Sequence, residues 1–92
     1  MTIEEFGDVI CTNLDLTRYH GQNNRWTAKF HHADTINYKG HGIRSGTYGN
    51  GKTPAGAIQD YINQISGKIL VFDGNDERIE YGVPSTLTYK ES

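Results

Sequence analysis

The sequence predicts an α+β domain: an antiparallel sheet of about five strands, two hairpins plus one strand, packed on one main helix at about residues 54–66. Three observations predict it. Apolar residues alternate with a period of two through Ile10–Leu16 and again through Trp26–Phe30, with the turn-rich "HGQNN" between them. A second such pair, "KILVFD" and Arg78–Val83, brackets the turn "GNDE". Between the two pairs, Ile58, Tyr61, Ile62 and Ile65 recur at helical spacing behind Thr53-Pro54.

In chain order, a short N-terminal helix is expected first. Thr2 and Glu5 have the spacing of a capping box, and Ile3, Phe6, Val9 and Ile10 share roughly one helical face, although Gly7 weakens the helix. From Ile10 the period is two: Ile10, Thr12, Leu14 and Leu16 alternate with Cys11, Asn13, Asp15 and Thr17. In the next strand Trp26, Ala28 and Phe30 alternate with Arg25, Thr27, Lys29 and His31. Parity sets the register. If Tyr19 pairs with Arg25, then Thr17 faces Thr27, Asp15 faces Lys29 and Asn13 faces His31, while Leu16 meets Ala28 and Leu14 meets Phe30. One face is then apolar and the other polar. Residues 33–52 are rich in Gly, Asn, Ser and Thr; "ADTINYKGHG" is expected to be mobile and exposed, with a third strand near Ile43–Tyr48.

The main helix has the clearest limits. Thr53 is a good N-cap, Pro54 is favoured in the first turn, and Gly67 supplies a stop. "KILVFD" follows as a buried strand, with Asp73 opening the turn before the last strand, where Ile79, Tyr81 and Val83 alternate with Arg78, Glu80 and Gly82. Pro84 ends that strand, and residues 85–92 are expected to form a loose tail. The whole chain, 92 residues, reads as a single small α+β domain with one modest core.

Composition narrows the function classes. The N-terminus "MTIEEFGD" carries acids where a signal peptide needs bases, and the longest apolar run is Ile69–Phe72, so a soluble cytosolic protein without a membrane span is expected. The single cysteine, Cys11, excludes an internal disulfide and a thiolate zinc cluster, and is expected to be a half-buried strand residue. The net charge of −2 is unevenly distributed. Residues 1–17 hold four acids and no Lys or Arg; residues 18–52 hold Arg18, Arg25, Lys29, Lys39, Arg44 and Lys52 against Asp34 alone; residues 53–92 hold six acids and three bases. All four histidines, His20, His31, His32 and His41, lie in the basic middle segment. Such an asymmetry points to a polyanionic partner.

"GTYGNGKT", Gly46–Thr53, fits the phosphate-loop pattern G-x-x-x-x-G-K-[ST], and the strand ending in Asp73 fits its usual metal-binding companion. Pro54 argues against the chemistry. A residue before proline is pushed out of helical geometry, which turns the Thr53 hydroxyl onto the helix's own amides, and the proline removes an amide that a phosphate would need. The hairpins also predict antiparallel pairing where a nucleotide-binding α/β domain needs a mostly parallel sheet. The stretch therefore reads as a glycine-rich turn, Gly49 and Gly51 supplying backbone freedom. No catalytic constellation emerges: the histidines lack zinc-site spacing, His31 and His32 would point to opposite faces of a strand, and no nucleophile motif or carboxylate pair stands out. A non-enzyme with no cofactor and no metal is expected.

A binding surface remains. The expected partner or nucleic-acid contacts are Arg18, Tyr19, Arg25, Lys29 and His31 on the first hairpin, Tyr38, Lys39, His41 and Arg44 in the segment after it, and Lys52 at the helix entrance. Cations interleaved with aromatic and hydrogen-bonding side chains suit nucleic-acid backbones and unstacked bases. The competing structural reading pairs Lys29 with Asp15 across the hairpin and sends Trp26 and Phe30 into the core.

Two resemblances add to this. A glycine-rich approach to a helix behind three strands is similar to double-stranded RNA-binding domains, but "GNGKTPAGAIQDY" has Lys52 alone where those domains carry a lysine cluster, and two strands follow the helix. The run "YGNGKTPAGAIQDYINQISGKILVFDG" followed by "RIEYGVP", about the C-terminal half, resembles small phage-encoded anti-CRISPR proteins of type I-F. That resemblance implies a non-enzymatic inhibitor in the host bacterial cytoplasm. It would bind Cas subunits of the CRISPR RNA-guided surveillance complex, touch the guide RNA, and prevent target DNA binding. The alternative is an independent phage RNA- or DNA-binding protein.

Overall fold

The helix delimited by Thr53 and Gly67 forms where its caps place it. In α2 (Pro54–Ile65) the N-cap Thr53 is extended, with φ −130° and ψ 159°, and its Oγ1 accepts the Gly56 N–H at 3.0 Å. Ala57, Ile58, Tyr61, Ile62 and Ile65 form its buried face, and Gly67 follows with a φ of 75°. The computed structural model describes residues 1–19, 25–37, 44–74 and 77–89.

The N-terminal helix α1 (Ile3–Val9) starts with the expected capping box: Glu5 N–H donates to Thr2 Oγ1 at 3.1 Å and Thr2 N–H donates to Glu5 Oε1 at 2.9 Å. The helix extends further than the alternation suggested. Ile10 caps it and is buried with Ile3 and Phe6, so Ile10 belongs to the helix and the strand begins only at Leu14. Cys11, expected to be half-buried in that strand, lies in the turn between them, exposed and with a φ of 54°. Val9, expected on the apolar face, is exposed.

The strands are β1 (Leu14–Tyr19), β2 (Arg25–Phe30), β3 (Asp34–Ile36), β4 (Gly49–Gly51), β5 (Ile69–Gly74) and β6 (Glu77–Gly82). The fold is α+β as expected. Among the described residues six strands form two antiparallel sheets, β1-β2-β4 and β3-β5-β6, so the two hairpins lie in separate sheets. Pairing in the first hairpin runs from Leu14 with Phe30 to Tyr19 with Arg25, the register that parity required. His31 N–H continues it by donating to Asn13 O at 3.0 Å.

Three local expectations are corrected. The strand expected near Ile43–Tyr48 is Gly49–Gly51, opposite Trp26–Ala28; Ile43 lies outside the described residues. Within "ADTINYKGHG", expected to be exposed throughout, Ala33, Thr35 and Ile36 are buried, and Asp34–Ile36 pair with Ile69–Val71. The remainder of that stretch beyond Asn37 lies outside the described residues. Asp73, expected to open a turn, is inside β5 opposite Arg78.

The core is centred on Phe30. Its ring meets Phe6 of α1 edge-on at 6.0 Å between centroids and Tyr61 of α2 at 5.9 Å. Ala28, Ile58, Ile62, Ile65, Leu70 and Val83 fill the space around them. Residues 85–89, expected to be loose, close the core instead. Leu87 is buried, Thr88 O accepts the Ile3 N–H at 2.7 Å, and Thr88 N–H donates to Met1 O at 3.0 Å. Leu87 and Tyr89, two apolar residues between Pro84 and the charged end, were too few to set a period by which to recognise this docking.

Candidate functional site

The three-stranded sheet β1-β2-β4 has one covered face and one open face, and its side-chain alternation decides which residues go where. Ala28 and Phe30 point into the core. On β4 the same side carries Gly49 and Gly51, pressed against α2: a Cβ on Gly49 would come within 2.1 Å of Ala57 O, and one on Gly51 within 2.4 Å of Ala57 N. These glycines allow a strand to lie on a helix backbone. Close approach explains them better than the backbone freedom expected of a turn.

The helix also fixes the height of β4. Asp60 Oδ2 accepts the Asn50 N–H at 2.8 Å and the Gln64 side-chain amide at 2.9 Å, and the same Gln64 amide donates to Tyr48 O at 2.9 Å. Tyr48 is thereby held by its backbone beside β2 while its side chain stays 48% exposed.

On the open face, Asp15, Thr17 and Tyr19 of β1 and Arg25, Thr27 and Lys29 of β2, with Gly46 and Tyr48, line a groove of about 440 Å³. Its floor has three cross-strand rungs: Asp15–Lys29, Thr17–Thr27 and Tyr19–Arg25. Tyr19 is 57% exposed. Lys29 Nζ lies beside Gly46, 3.6 Å from where a Cβ would stand.

Asp15 faces Lys29 across the strands as parity required, but the ion pair of the competing reading does not form. The Asp15 carboxylate contacts His31 instead, Nδ1 to Oδ2 at 2.7 Å, because the turn after Phe30 brings the imidazole alongside the strand end. Lys29 makes no ion pair among the described residues. The strand ends at Phe30, so His31 and His32 do not take opposite faces; their rings lie 3.9 Å apart at 59°.

Of the residues the sequence nominated, the structure assembles Tyr19, Arg25 and Lys29 in one groove, with His31 at its edge. Arg18 is on the other face, its guanidinium 5.8 Å from the Trp26 ring centroid. Arg44 is a clip: it donates to Asp73 at 2.6 Å and Asp34 at 2.7 Å, joining β5 to the start of β3. These bonds, that to Asp73 foremost, push its pKa up. Lys52 is exposed directly before the α2 cap. Tyr38, Lys39 and His41 lie outside the described residues. Phe30 is buried as expected, and Trp26 packs half-buried against the core.

Sequence reasoning missed Tyr48 and Gly46. Their signal was the two-residue spacing Gly46, Tyr48, Asn50, which continues the open-face parity while Gly49 and Gly51 take the helix side.

The phosphate-loop pattern is occupied by the fold itself. The Thr53 hydroxyl is bonded to Gly56 N–H, and the glycine strand rests on α2. Among the described residues no group of three or more His, Cys, Asp and Glu is placed to hold a metal ion, and no helix is long and apolar enough to cross a membrane. Comparison with protein families, with curated proteins and with solved structures finds no significant match for this chain.

Proposed function

We propose that the chain is a non-enzymatic, stoichiometric inhibitor that binds the type I-F Cas surveillance complex in the host bacterial cytoplasm, contacting Cas subunits and guide RNA so that target DNA cannot be held. The observation that carries a binding role is the open sheet face, where Tyr19, Arg25, Lys29 and Tyr48 line one groove. Exposed tyrosines and cations on a rigid strand scaffold are suited to recognition. The choice of partner rests on the resemblance of the C-terminal run, "YGNGKTPAGAIQDYINQISGKILVFDG", to small anti-CRISPR proteins.

The direct test is retention of the surveillance complex by the tagged chain, followed by target-DNA binding in its presence. Retention together with loss of DNA binding supports inhibition; absence of retention rejects it. Arg25→Glu with Lys29→Glu should release the complex. Arg44 is unsuited to this test, because its charge holds two strands together. The same open face also favours a second reading, an independent phage nucleic-acid-binding protein. That reading predicts affinity for free RNA or DNA without any Cas subunit, falling steeply with salt.

A further inference from the structure

Resting on the reading of the open face as a recognition surface, we infer that this face takes a short run of unpaired RNA, with bases stacked on Tyr19 and Tyr48 and phosphates held by Arg25 and Lys29. The two tyrosines and two cations are distributed in a way that fits this ligand. Tyr19 and Arg25 form one rung, and Lys29 is opposite Asp15 at the far end of the groove. Beyond the last β2–β4 pair, Ala28 with Gly49, Tyr48 and Lys29 line the same groove, with Lys29 Nζ beside Gly46. Each end therefore combines one aromatic ring with one cation. The ends are four residues apart on β2, about 13 Å, and the Thr17–Thr27 rung supplies hydroxyls between them.

The rings select against a duplex. A paired, stacked helix hides its base faces, whereas an unpaired strand presents them to aromatic side chains. Tyr19 and Tyr48 are about half exposed, and no helix covers them among the described residues. Charge is matched to a polyanion because His31 holds the one carboxylate lining the groove, which leaves Lys29 without an ion pair among the described residues. An acidic protein surface would draw on the cations alone and leave the paired placement of the rings unexplained.

The test uses the full chain and a fluorescein-labelled single-stranded RNA of about 12 nucleotides, with a duplex of the same sequence as the competitor, read by anisotropy. Single-stranded RNA should bind, the duplex at least about tenfold more weakly, and log K should fall with log salt at a slope of about −1.4 for two phosphates. Tyr19→Ala and Tyr48→Ala should each weaken binding about 5- to 150-fold, the range measured for loss of one stacked base. Tyr19→Phe and Tyr48→Phe should retain it, and all four variants should keep the wild-type unfolding midpoint within a few degrees. Absence of binding at about 50 mM salt, equal affinity for the duplex, or alanine variants that bind like wild type would each overturn the inference. If the chain retains the surveillance complex but binds no RNA, the RNA inference falls and the inhibitor reading stands on protein contacts. If it binds RNA but retains no complex, the reverse holds.

Discussion

The hydroxyl of Tyr61 on α2 accepts a hydrogen bond from the backbone N–H of Phe30 at 3.2 Å. The bond occupies a sheet edge. β4 pairs with β2 only as far as Ala28, and at Phe30 the helix takes over the partner's role with a phenol. The central aromatic of the core is thereby fixed through both its ring and its backbone.

Tyr61→Phe should leave that buried amide without its partner and cost about 1–3 kcal/mol, measured by urea unfolding. Burial pushes the Tyr61 pKa up to about 12, and the Phe30 amide offsets this only in part. The folded state thus holds the phenolic proton more tightly than the unfolded chain. The stability linked to it is fully present below about pH 10 and is lost as pH rises towards 12, by about 3 kcal/mol in all. Tyr61→Phe should lack this alkaline component.

Gly51→Ala and Gly49→Ala should each destabilise by at least about 1–3 kcal/mol, because the clash is with helix backbone and no rotamer relieves it. Lys52→Ala, in the same glycine-rich stretch, should stay within about 0.5 kcal/mol of wild type and should not alter any interaction with ATP and magnesium. A thermal unfolding series on the three variants separates a packing role for this stretch from a phosphate-binding one.

Leu87→Ala should cost about 2–5 kcal/mol, as expected of a core position. Guanidinium unfolding checks this; a cost near zero would mean that residues 85–89 do not close the core.

Arg44→Ala should lower the unfolding midpoint, and the difference from wild type should shrink with added salt, since both ion pairs are partly exposed. Arg44→Glu should be worse, because it would bring a third carboxylate beside Asp34 and Asp73. Loss of partner binding in that variant would report on the fold before it reported on an interface.

What the sequence made legible was what repeats. Two strands of six residues, each alternating, allowed the pairing of Tyr19 with Arg25 and of Asp15 with Lys29 to be set by parity, and the cap at Thr53 placed α2. β3 and β4 are three residues long, too short for a period, and β4 is mostly glycine. Their roles come from partners distant in sequence: Ile69–Val71 for one, α2 for the other. The candidate site was half legible for the same reason. The hairpin face was visible as alternating polar residues, whereas Tyr48 joins it through the Asp60 and Gln64 side chains of a helix that follows it. Arg44 read as a free cation because Asp34 and Asp73 are brought to it only by folding.

The pairing of Thr88 with Met1 and Ile3 has a consequence for how the protein is made. α1 is synthesised well before the carbonyl that receives the Ile3 N–H and the leucine that covers the core beside it. A nascent chain stalled before Leu87 would carry its N-terminal helix with that site open, exposed to chaperones and proteases. Quality control would therefore act on copies that stop short of Leu87, and a chain that carries this segment would hide the signal by closing Leu87 and Thr88 onto α1.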